Sequence, residues 1–152
     1  MIPFSNQTYI DFSNPDNVKK QLDAISKVES KLGREYPNII GGKEIFSEKK
    51  TKSINPANPD QVVGIFQKSG ADQAELAINT AYETFKWWRN FPPVERAEFL
   101  FKAAEYVRKH RYEINAWMIK EVGKNYAEAD GDVSEGIDFF EYYGREMLRY
   151  MR

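Results

Sequence analysis

The sequence predicts an α+β chain with an N-terminal helix, a small β-hairpin and strand region, and then three to four packed helices. Three observations predict it. Apolar residues recur at steps of three and four before residue 33 and again after residue 69, the spacing of amphipathic helices. Between them, short β-rich runs are separated by Gly-Gly and Asn-Pro turn formers. After Ser69 the helical spacing breaks only at Pro92-Pro93, at residues 108–111 and at Gly123.

An irregular arm precedes the first helix. Asn14-Pro15-Asp16 then supplies a capping side chain, a residue suited to the first helical position and an acid at the positive helix end. Val18, Leu22, Ile25, Val28 and Leu32 make one apolar stripe, and Gly33 is a stop, so a surface helix is expected over Pro15 to Leu32. Tyr36 to Ile40, Gly41-Gly42 and Lys43 to Phe46 form the pattern of a tight hairpin. Lys52-Ser53-Ile54 reads as a further strand, the stretch 55–60 as turns, and Gln61 to Phe66 as the strongest strand of the chain. Four strands are thus expected in one small sheet with open edges, which call for a cover.

Ser69 with Asp72 resembles a capping box for the next helix. Ala74, Ala77, Ile78, Ala81, Phe85 and Trp88 form its expected inward stripe. Pro92-Pro93 ends that helix and begins another, with Ala97, Leu100, Phe101, Ala104 and Val107 buried. A break is expected across Arg108-Lys109-His110-Arg111. Ile114, Trp117, Met118 and Val122 then resume the pattern up to Gly123. The last helix begins near Tyr126, with Val133, Ile137, Phe140, Gly144, Met147 and Met151 facing inward, and shows no stop signal before Arg152. By organisation, 1–34 is arm and helix, 35–68 short strands, and 69–152 the helical part. No internal repeat or low-complexity tract interrupts them.

At 152 residues, 41% hydrophobic and 30% charged, the chain can build a core and is no disordered tail. Its net charge of −1 gives no broad electrostatic reason to bind nucleic acid or anionic lipid. No apolar run reaches bilayer length and no secretory leader pattern opens the chain, so a cytoplasmic location is expected. The count of cysteines is zero, which excludes a disulfide, a thiolate metal site and a Cys nucleophile from these residues.

No local motif is catalytic by itself. Gly41-Gly42 and Gly64 lack the spacing of a phosphate-cradling loop, and the former pair reads as a hairpin turn. His110, the one histidine, sits in a basic cluster at a helix end, where the helix dipole favours a cation; no orienting carboxylate or nucleophile is indicated beside it. The cluster 108–111 is expected to be a solvated helix end. Glu128, Asp132 and Glu135 fall at i, i+4 and i+7 on one face of the last helix. Periodicity alone favours a solvated acidic face. A single carboxylate lining a pocket is the alternative, because Phe139 and Tyr142 continue that face. A carboxylate-bridged metal site is disfavoured, since the helix carries no histidine.

The order of several motifs carries a resemblance. Ile54-Asn55-Pro56-Ala57 followed by Val62-Val63-Gly64, the run Arg96 to Ala104, Glu121-Val122-Gly123-Lys124, and Glu128-Ala129, Asp132-Val133, Glu135, Ile137-Asp138-Phe139 and Tyr142-Tyr143 together resemble the N-terminal part of aldehyde dehydrogenases. The first helix, Tyr36-Pro37 with Ile40-Gly41-Gly42, and the Ile-Asp-Phe…Tyr-Tyr helix are similar to the branch acting on 1-pyrroline-5-carboxylate. That branch oxidises glutamate γ-semialdehyde to glutamate with NAD in proline degradation.

The resemblance runs from about Asn14 to Arg152. It implies a fragment of the aldehyde dehydrogenase fold, the N-terminal segment of its NAD-binding domain. It also implies that Glu135 lies near the amino-acid end of the substrate. The family's nucleophilic Cys, general-base Glu, oxyanion-hole Asn and NAD-binding segment belong further along, so these residues are expected to contain no catalytic, cofactor-binding or metal residue and to be inactive alone. The expected partner is the remainder of the dehydrogenase chain, in a homo-oligomer when complete. A non-catalytic helical interaction module derived from such an enzyme is the alternative. A bifunctional proline-catabolic enzyme is disfavoured, because no preceding domain appears.

Overall fold

The computed structural model describes residues 3–151. Its elements run α1 (Pro15–Glu29), β1 (Arg34–Tyr36), β2 (Asn38–Ile40), β3 (Lys43–Ile45), β4 (Lys50–Ile54), β5 (Val62–Gln67), α2 (Ala71–Trp88), α3 (Pro93–Lys109), α4 (Arg111–Val122) and α5 (Tyr126–Arg149). They form two units. Residues 31–91 hold the strands and α2; residues 1–30 with 92–152 hold the other helices.

In the helical unit, Asn14 caps α1 by accepting the Asp16 N–H at 2.9 Å, as its sequence position predicts. The helix stops at Glu29 rather than Leu32. Its buried face is Gln21 and Val28, while Leu22 is half exposed, a correction to the expected stripe. Gln21 is buried because its amide donates to the Tyr112 carbonyl of α4 at 3.1 Å and accepts from Asn115. A polar side chain satisfied in this way takes an inward position that apolar periodicity assigns elsewhere.

The core lies between α3, α4 and α5. Ala104, Val133 and Ile137 form its centre, with Val107, Ile114, Met118 and Phe140 packed around them. Gly144 lets α3 and α5 approach closely: a Cβ placed there would lie 2.6 Å from the Phe101 ring. The break at residues 108–111 falls where expected, with His110 between α3 and α4, and Gly123 closes α4 in the left-handed region. Val122 and Met151, expected inside, are 55% and 45% exposed. The expected run of α5 into Arg152 lies partly outside the described residues; within them the helix ends at Arg149.

In the strand unit, Gly41 and Gly42 both have positive φ (59° and 76°), the backbone a two-residue hairpin requires. They join β2 to β3 in register Ile40↔Lys43. A separate three-stranded sheet has the order β1-β5-β4, with β1 parallel and β4 antiparallel to β5. Five strands in two sheets thus replace the expected four in one. Gln67 stitches this sheet: its amide donates to Glu35 and to the Tyr36 carbonyl, both at 2.9 Å, and accepts from the Ser47 N–H at 2.8 Å.

The cap of helix α2 falls one residue past the expected Ser69. Gly70 takes the cap position without a side-chain bond, and Ser69 reaches Gln73 instead of a backbone N–H. The expected inward stripe is not buried. No residue of α2 is buried among the described residues, and Ile78 and Phe85 are 68% and 52% exposed.

Candidate functional site

Helix α5 carries the site. Asn125 caps it, accepting the Glu128 N–H at 2.9 Å, and the buried row Ala129, Val133, Ile137 and Gly144 fixes which face turns away from the core. The three predicted carboxylates separate in role. Glu128 is exposed, Asp132 pairs with Lys124, and Glu135 lines a cavity. They do not act as one cluster.

That cavity, about 280 Å³, is walled by Phe4, Phe139, Tyr142 and Tyr143, with Asn6, Glu135 and Asp138 supplying its polar edge. Phe4 meets Tyr142 edge to face at 5.6 Å between ring centres, and Tyr143 lies 6.1 Å from Phe139. Asp138 is already engaged, accepting from Asn6 Nδ2 at 2.8 Å and from the Gln7 N–H at 2.7 Å. Glu135 has no hydrogen-bond or ion-pair partner among the described residues. A free carboxylate beside aromatic walls suits a small ligand bearing a cationic group, because the charge finds a counter-ion and the carbon chain finds apolar surface.

The arm before α1, which sequence reading left irregular, is held on α5 by a network that reading missed. Arg111 grips Asp130 with two parallel bonds, Nε to Oδ1 at 2.6 Å and Nη2 to Oδ2 at 2.7 Å. It also donates to Ser134 Oγ at 2.6 Å and to the Thr8 carbonyl at 2.9 Å. Asp130 in turn accepts the Ile10 N–H at 2.8 Å and Asn115 Nδ2 at 3.1 Å. Side-chain exposures of 9% and 1% make this a buried ion pair, which corrects the expected solvated cluster at 108–111. Arg108, by contrast, stays partly exposed and bridges Gln7 Oε1 and Glu141, each at 2.8 Å. Burial pushes the Glu141 carboxyl up, but bonds from Arg145 and Arg108 outweigh it and hold the group below its ordinary range. His110 stacks on Tyr106 with 4.0 Å between ring centres, and its Nδ1 lies 2.8 Å from the Tyr106 carbonyl oxygen, the structural role its position suggests.

The loop between β5 and α2 does not carry the three-glycine pyrophosphate fingerprint. Strand β5 reaches α2 through Lys68-Ser69-Gly70, one glycine where the pyrophosphate fingerprint uses three. Gly64 lies within the strand, where Phe66 and Tyr36 crowd its Cβ position. Among the described residues no group of three His, Asp or Glu side chains is placed to hold a metal ion, and no helix is long and apolar enough to cross a membrane.

Residues 45–152 match the model of the aldehyde dehydrogenase family. The chain is 46% identical over 147 residues to the 1-pyrroline-5-carboxylate dehydrogenase of Geobacillus thermodenitrificans, covering 97% of this chain and 28% of that protein. Among solved structures it superposes on a 1-pyrroline-5-carboxylate dehydrogenase from Thermus with bound NAD at TM-score 0.95 and 39% identity, covering 99% of this chain and 29% of that one. Proline utilization A from Bdellovibrio bacteriovorus matches at TM-score 0.96 and 35% identity, with 99% and 16% covered. The chain therefore spans less than a third of the length of the curated relatives it matches.

Proposed function

The chain belongs to the aldehyde dehydrogenase family, and from that premise we propose that it forms the N-terminal portion of an NAD-dependent enzyme oxidising glutamate γ-semialdehyde to glutamate. The observation that carries the reading is Glu135, an unpaired carboxylate at an aromatic-walled cavity on the helix whose motif the branch shares. In this reading Glu135 receives the substrate's ammonium group. The Phe139 and Tyr142 rings flank the aliphatic chain and orient the aldehyde end outward.

The oxidation needs a thiolate to add to the aldehyde, donors for the resulting oxyanion, a hydride acceptor and a base that activates water. A chain with zero cysteines does not hold that thiolate. The nucleophile and the nicotinamide therefore belong to polypeptide beyond these residues, and the contribution here is substrate binding and orientation. The same reading carries the family's expectation of a cytoplasmic homo-oligomer.

In the complete enzyme, Glu135→Ala is expected to raise KM for the semialdehyde about tenfold or more, the worth of one bond to a charged group, while KM for NAD stays unchanged. Steady-state kinetics with each substrate varied in turn checks this. Unchanged semialdehyde kinetics would remove Glu135 from the site. A second reading, a non-catalytic interaction module, draws on the exposed apolar face of α2. Semialdehyde-dependent NADH production by the complete polypeptide excludes that module.

A further inference from the structure

The cavity beside Glu135 is closed on one side by Phe4, a residue of the arm rather than of any helix. We infer that Asp138 is a positioning residue that fixes the arm so that Phe4 forms a wall of the substrate cavity. The inference rests on the reading of Glu135 as a substrate contact and extends it to the arm.

An arm without secondary structure has no hydrogen-bond ladder of its own, so its position is set by whatever its backbone meets. Here two carboxylates about two turns apart on α5 do that work. Asp130, locked by Arg111, accepts the Ile10 N–H, and Asp138 accepts the Gln7 N–H and the Asn6 amide. Arg108 fixes the Gln7 side chain from α3. Phe4 lies two residues before Asn6, the anchor nearest to it, with its ring against Tyr142 and the Arg145 guanidinium 6.0 Å from the ring centre. Of the two carboxylates at the cavity edge, Asp138 is thus spent on the arm, which leaves Glu135 for the ligand. This division of labour also explains why two acids sit three residues apart on one face without a cation between them.

The complete enzyme tests this with four variants, Asp138→Ala, Asp138→Asn, Phe4→Ala and Glu135→Ala. Each is assayed for KM of the semialdehyde and of NAD, and for hydrogen exchange at the Gln7 amide. Asp138→Ala is expected to speed Gln7 exchange and to raise semialdehyde KM about five- to tenfold, with KM for NAD unmoved. Asp138→Asn, which keeps an acceptor for the Gln7 N–H, is expected to recover most of both effects. Phe4→Ala is expected to raise semialdehyde KM without changing Gln7 exchange. If semialdehyde KM rises in Glu135→Ala but holds in Asp138→Ala and Phe4→Ala, the arm's role is overturned and the substrate site stands. If KM rises in the Asp138 and Phe4 variants but not in Glu135→Ala, the arm's role stands and the ammonium contact falls. Gln7 exchange unchanged in Asp138→Ala overturns the anchoring itself.

Discussion

At the scale of single residues, the pair Arg111–Asp130 shows how far side-chain context departs from sequence neighbourhood. Read along the chain, Arg111 is the fourth member of a basic run; in the fold it is buried, and Arg108 remains partly exposed. The helix boundary at His110 puts Arg108 at the end of α3 and Arg111 at the start of α4, so periodicity within one helix does not report which of the two is buried. Glu135 was singled out by the family motif, whereas the periodicity of α5 alone favours a solvated acidic face; the fold puts it at the edge of a cavity. Asp138, inside the same motif, was not singled out, since its role depends on backbone groups more than 130 positions away. Removing one member of a buried ion pair leaves an uncompensated charge. Asp130→Ala is therefore expected to cost about 3–5 kcal/mol of stability, read as a lowered denaturation midpoint in urea. Replacing Asp130 and Arg111 together by apolar residues is expected to cost less, because neither charge is then stranded.

Among the elements, those whose own residues carry a strong apolar stripe or a glycine turn were the readable ones. The α3 stripe Ala97, Ala104 and Val107 and the α5 stripe Val133, Ile137 and Gly144 face each other across a short α4, and each is buried or partly buried as its spacing predicts. The glycine turn between β2 and β3 was equally plain. Strand β1 was missed because Arg34 and Glu35 have little strand preference and gain their bonds by lying parallel to β5, about thirty residues away. Helix α2 carries the same apolar periodicity as α3, yet no described residue buries it, so a stripe announces a face and not its cover. The α3–α5 contact depends on one missing methyl group. Gly144→Ala brings a Cβ within 2.6 Å of the Phe101 ring. The overpacking is expected to outweigh the better helix preference of alanine and to destabilise by about 1–2 kcal/mol, visible as a drop in Tm.

For the molecule as a whole, composition and family together bound the chemistry more tightly than any local motif. With zero cysteines in its 152 residues, the isolated chain is expected to yield no semialdehyde-dependent NADH, measured as absorbance growth at saturating NAD. Turnover by the pure polypeptide would place the reaction's nucleophile on a group other than a thiol. The helical unit is also discontinuous: residues 1–30 join 92–152, with the strand unit between. On the ribosome, Thr8 and Ile10 emerge long before Arg111 and Asp130, the groups that receive them, 103 and 120 positions later. At ordinary elongation rates that interval is about 5–25 s. During it the strand unit, residues 31–91, comes to have all its own residues to hand. Within these residues the strand unit can thus order before the arm, which is made ahead of it yet finds its seat only afterwards.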